Sequence, residues 1–86
     1  MRLAFSSNGI RPLTALSEQE KAVIVELRAE MKGRADRLLA LGVTPGATVT
    51  LLQRFPGIVF LCDQTELAVE RDVAAAILVR PVEGHV

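Results

Sequence analysis

The sequence predicts a small, mainly β domain: about five short strands curled into a barrel, with one short helix inserted after the first strand. Three observations point there. Short alternating apolar runs recur with turn signals about every eight to twelve residues. One segment, Arg37-Leu38-Leu39-Ala40-Leu41-Gly42-Val43-Thr44-Pro45-Gly46-Ala47-Thr48-Val49, reads as helix, glycine stop, proline turn and strand start. The chain has 86 residues, half of them hydrophobic, which is enough for one core and no more. Closing a sheet removes edges that so small a domain can hardly cover otherwise.

Residues 1–12 read as an N-terminal arm, because Ser6-Ser7-Asn8-Gly9 is turn chemistry and Arg11-Pro12 favours extended backbone. The domain proper is assigned to 13–82, docked at its start by Leu13 and Leu16, and 83–86 form a tail. Ser17-Glu18-Gln19-Glu20-Lys21 is a polar connector. Residues 22–29 are the first strand, with Val23, Val25, Leu27 and Ala29 expected on the core face. Residues 30–33 link it to the helix. There Ala35, Leu38, Leu39 and Gly42 share one face, so Leu38 and Leu39 are expected to bury, with Leu41 at the edge.

Gly42 follows the last apolar residue of that face, where a left-handed cap favours glycine. Thr44-Pro45-Gly46-Ala47 fits a type II turn: proline sets φ at the second position and glycine supplies positive φ at the third. Residues 48–54 form the next strand, with Val49 and Leu51 inward. Phe55-Pro56-Gly57 is a tight hairpin connection, and residues 58–62 an almost wholly apolar strand. Asp63-Gln64-Thr65 is a turn without glycine, and residues 66–70 a strand with Leu67 and Val69 inward. Residues 71–75 form a single helical turn. Ile77 and Val79 alternate in a last strand that Pro81 ends.

In that order the chain resembles the ferrous iron transport protein A (FeoA) family, an SH3-like barrel. The resemblance runs from Leu13 to Val79. It is carried by Leu13-x-x-Leu16, Ala22 to Leu27, the Arg37–Val49 segment, and Glu66-Leu67-Ala68-Val69 through Ala74-x-x-Ile77-x-Val79. Family members often have Pro-Gly before the first strand, where this chain has Ser17-Glu18-Gln19-Glu20. They often have a longer hairpin where it has Phe55-Pro56-Gly57, and a glycine where it has Asp63-Gln64-Thr65. The resemblance implies a cytoplasmic accessory of a FeoB-type ferrous iron transporter, acting on its cytosolic part. The same fold ends iron- and manganese-dependent repressors; a methionine start and single-domain length argue here against a repressor.

No enzyme is expected. Gly-x-Ser-x-Gly, a glycine-rich phosphate loop and His-Glu-x-x-His are all missing from the sequence. The only cysteine, Cys62, closes an apolar strand and reads as a buried thiol; it rules out an internal disulfide. No cofactor is firmly expected. A divalent transition metal such as iron has only weak candidate ligands: Asp63 and Glu66, flanking one turn, and the terminal His85.

Zero net charge gives no long-range pull on nucleic acid, and three phenylalanines with no tyrosine or tryptophan offer few stacking platforms. No apolar run reaches the ~18 residues of a membrane span. Local charge is more suggestive. Arg28, Lys32, Arg34 and Arg37 outnumber Glu30 and Asp36 just before and on the helix, and are the candidate partner-binding residues. Leu38, Leu39, Gly42, Thr44, Pro45 and Gly46 are the structural unit that presents them. The rival expectation is a self-associating, metal-binding or metal-sensing module.

Overall fold

A computed structural model describes residues 9–28 and 34–82. Six strands form one sheet: β1 (Arg11–Pro12), β2 (Lys21–Leu27), β3 (Thr48–Gln53), β4 (Ile58–Cys62), β5 (Thr65–Val69) and β6 (Ile77–Pro81). A 3₁₀ turn, Leu13–Ala15, follows β1. Helix α1 (Arg34–Ala40) joins β2 to β3, and α2 (Arg71–Ala75) joins β5 to β6. All neighbours are antiparallel, in the order β1-β6-β2-β3-β4-β5. The class is the expected mainly β, SH3-like one. The sixth strand comes from Arg11–Pro12, which the sequence reading left in the arm.

The expected closure is not made by hydrogen bonds. Among the described residues no ladder joins β1 to β5, so these two are the edges of a coiled sheet. Coiling is helped by two bulges. The β2–β6 register shifts between Ile24 and Glu26, and the β3–β4 register shifts between Leu51 and Gln53. An extra residue in one strand bends it and increases its twist.

The first bulge also corrects the expected facing of β2. Ala22 and Ile24 are buried, while Val23 and Val25 are half-buried on the other side. Past the bulge the phase flips, and Leu27 packs against the core opposite buried Ile77. Strict alternation cannot show an inserted residue, so the expected parity fails before the bulge and holds at Leu27 after it, while Ala29 lies outside the described residues.

Inside lie Leu13, Leu16, Ile24, Val49, Leu51, Ile58, Phe60, Ile77 and Val79, all essentially inaccessible, with Leu38 and Val43 from the α1 segment and Val73 and Ala74 from α2. Leu13 and Leu16 dock as expected, as do Val49 and Leu51. No polar or charged side chain is buried among the described residues, so the core holds together by apolar burial.

Candidate functional site

Helix α1 is only seven residues long and owes its geometry to its ends. At its C-terminus Gly42 takes φ +94°. Its N–H donates to the Leu39 carbonyl at 3.0 Å, and the Val43 N–H reaches back to the Leu38 carbonyl at 2.9 Å. That bond pair is a Schellman cap, and the apolar contact that accompanies it is supplied by buried Leu38 and Val43. The turn then forms as expected: Gly46 has φ +98°, and the Ala47 N–H donates to the Thr44 carbonyl at 3.0 Å. Two further bonds fasten this turn to β2, Gly46 N–H to the Ile24 carbonyl at 2.8 Å and Ile24 N–H to the Ala47 carbonyl at 2.9 Å.

Leu38 and Leu39 part company. Leu38 is buried, but Leu39 is 45% exposed and Leu41 is 44% exposed. Adjacent helical residues point about 100° apart, and two turns leave room for a single inward stripe, which Leu38 and Val43 occupy. The expectation that Leu39 buries is therefore corrected.

Between α1 and β5 lies an open groove of about 540 Å³. Arg37 and Leu41 stand on the α1 side, Leu67, Ala68, Val69 and Glu70 on the β5 side, with Leu38 and Val73 also lining it. It is an apolar trough with one cationic and one anionic side chain in its lining. Arg37 is a sequence candidate that lines this groove, but sequence reasoning missed the groove itself, because pairing α1 with β5 is a product of the sheet order and no local pattern encodes it.

Of the other basic candidates, Arg28 is not brought to this groove. Arg28 is exposed beyond the end of β2, its N–H on the Ala76 carbonyl at 2.9 Å, and is not among the lining residues. Arg34 begins α1. Lys32 lies outside the described residues, as does His85.

For metal, Asp63 and Glu66 are both exposed at the β4–β5 turn, and among the described residues no three His, Cys, Asp or Glu side chains group to hold an ion. These residues do not make a fitting site. Cys62 is buried with its Sγ 3.4 Å from the Gly42 carbonyl. Burial, and secondarily the Asp63 carboxylate beside it, pushes the thiol above its ordinary pKa, the opposite of what a reactive thiolate or ligand needs.

A second feature escaped the sequence reading. Arg71, at the start of α2, donates from Nη2 to the Arg54 carbonyl at 2.7 Å and lays its guanidinium 4.8 Å from the ring centroid of Phe55. The short hairpin is thereby clasped to α2, although Phe55 is 72% exposed. Both partners are ordinary surface residues in the sequence, separated by two strands.

Residues 11–81 match the FeoA domain family model. No curated protein matches the chain. Among solved structures, an iron uptake regulatory protein (FeoA) is 25% identical, with TM-score 0.75 over 85% of this chain and 97% of that one. FeoA from Chlorobium tepidum is 28% identical, with TM-score 0.76 over 86% of this chain and 72% of that one. T. acidophilum IdeR, at 20% identity and TM-score 0.79, shares the fold over 94% of this chain but only 37% of its own.

Proposed function

The chain belongs to the FeoA domain family, a membership that supports a role in ferrous iron transport, and on that premise we propose that it is a non-enzymatic accessory that binds a FeoB-type transporter. The observation that carries this reading is the groove beside the capped helix. It offers apolar surface, a cation at Arg37 and an anion at Glu70, on elements held rigid by backbone bonds. Rigid presentation lowers the ordering cost of binding. The partner is the transporter's cytosolic part, which places the chain in the cytoplasm; no helix among the described residues is long and apolar enough to cross a membrane. Regulation would be a coupling free energy. Preference for one transporter state shifts the population toward it. Arg28, Lys32 and Arg34 are proposed as secondary contacts on the charge of the sequence alone.

The test is an NMR titration of labelled protein with the transporter's cytosolic part, repeated with Arg37→Glu. Shifts confined to residues 34–46 and 67–73, weakened by the variant and by salt, are expected. Shifts elsewhere, or none, would sink the reading. The metal-binding rival is tested in the same tube by adding ferrous iron anaerobically before the transporter. It requires saturable shifts at Asp63 and Glu66, which Glu66→Ala should abolish.

A further inference from the structure

The two edges of the sheet differ in a way that bears on self-association. β1 is two residues long and one of them is Pro12, which has no N–H to offer, so that edge is blunted. β5 is five residues long, has no proline, and among the described residues pairs on one side only, with β4.

The direction of its backbone groups follows from the turn. The Asp63 N–H donates to the Thr48 carbonyl, and Val49 faces Cys62 across that ladder, so Cys62 turns its own N–H and C=O away from β3 and toward β5. Its partner is Thr65, and the pairs Phe60–Leu67 and Ile58–Val69 follow in phase. Thr65, Leu67 and Val69 therefore bond to β4. Glu66 and Ala68 direct their N–H and C=O groups off the sheet, and among the described residues no turn or loop backbone hydrogen bond ends on either.

We propose that β5 pairs antiparallel with β5 of a second copy, about a two-fold axis at Leu67, joining the two sheets into one. Charge selects the occupant and the register. Only Glu66 and Ala68 offer outward groups, so permitted registers differ by steps of two residues. With the axis at Glu66 two carboxylates meet directly. With the axis at Ala68, Glu66 faces Glu70 twice. With the axis at Leu67, Glu66 of each copy faces the exposed Ala68 of the other in hydrogen-bonded pairs. Glu70, just past the end of β5, then falls opposite the neutral Gln64. The strand thus meets itself without like-charge opposition in one register and is self-repelling in the two adjacent ones. The Leu67 side chains of the two copies meet at the axis, on the groove side of the sheet. An interface this short is weak, so association depends on concentration. It involves this chain alone, but Leu67, Ala68 and Glu70 also line the groove, so a second copy and the transporter would compete for this edge.

The experiment is a sedimentation-equilibrium dilution series on the full chain, with Ala68→Glu and Ala68→Lys in parallel, and isotope-filtered NOEs on a mixed-label sample. Ala68 is exposed, and circular dichroism melts check that both variants keep the fold. Expected are a concentration-dependent dimer and an intermolecular Leu67–Leu67 contact. Ala68→Glu, opposing Glu66 in two symmetric pairs, should raise the dissociation constant about tenfold. Ala68→Lys should lower it by a similar factor, and salt should shrink both effects. A chain that stays monomeric into the millimolar range overturns the proposal. So do variants that shift the constant in the same direction, or filtered NOEs that join another surface. Protection of the Glu66 and Ala68 amides only when the transporter's cytosolic part is added would give this edge to a foreign strand and also overturn it.

Discussion

The chain reverses direction through left-handed backbone at four described places, and it does so by two different means. Around α1 the residues are Gly42 and Gly46, each with nothing within 4 Å of where a Cβ would stand. Before β2 and after β4 they are Gln19, at φ +73°, and Asp63, at φ +56°. The glycines take this conformation at no steric cost, whereas Gln19 and Asp63 hold it against their own side chains. What holds them is external. The Ser17 N–H donates to the Glu20 carboxylate at 2.8 Å, and Gln19 and Glu20 exchange backbone bonds with Leu51, whose carbonyl accepts the Gln19 N–H at 2.6 Å. Asp63 is held by its N–H on the Thr48 carbonyl and by the closing Cys62–Thr65 pair. The difference teaches that left-handed backbone can be held without glycine where neighbouring strands over-determine it.

The largest expected effect tests whether the α1 unit is truly anchored by one leucine. Leu38→Ala should cost about 3 kcal/mol in urea denaturation, and Leu39→Ala no more than ~0.5 kcal/mol. Equal losses would mean that α1 is rotated from the position described. Next in size, Gly46→Val should cost about 2 kcal/mol and Gly42→Ala about 1 kcal/mol, the second lowering Tm by roughly 4–8 °C. Open space around both glycines makes these purely backbone penalties, and a Gly46→Val melt like the wild type would remove the turn from the account.

The other two positions should respond with the opposite sign. Gln19→Gly and Asp63→Gly each relieve left-handed strain, but each also adds freedom to the unfolded chain, so a net gain of only about 0.5 kcal/mol is expected. A clear loss at Gln19 would show that its side chain contributes binding of its own.

The smallest effect is in pH. The folded Cys62 thiol titrates above its unfolded value, so above the ordinary thiol range the unfolded chain ionises first and stability falls as pH rises toward the folded value. Below that range the contribution is fully present. Cys62→Ala should flatten this alkaline slope while lowering stability at every pH. Asp63→Gly, by removing the second cause of the shift, lowers the folded value only, so the slope should begin at the same pH but end sooner and be smaller.

What was legible in the sequence follows the same division. Gly42, Pro45 and Gly46 announce their geometry because few residues can adopt it, and the helix, cap and turn were readable to within a residue or two. Leu38 and Leu39 were not separable, since a two-turn helix gives too few residues to fix its rotation by period. The bulges at Val25 and Leu52 were silent because any residue can occupy them. The groove and the Arg71–Phe55 clasp depend on which strands become neighbours, a property of the whole sheet. Arg37 is one of four candidates marked by charge alone, and the structure sets it in the groove lining while leaving Arg28 out of it.

The ladder between β1 and β6 has a mechanical meaning. Arg11 lies against Val79 and Pro12 against Leu78, so the chain enters and leaves the domain on neighbouring strands at one corner of the sheet. Tension applied through the two ends would load those few bonds one after another, as a zipper is loaded. β1 would peel off at low force, while the β2–β3–β4 ladders, lying out of the line of pull, would keep the inner sheet and the α1 turn intact.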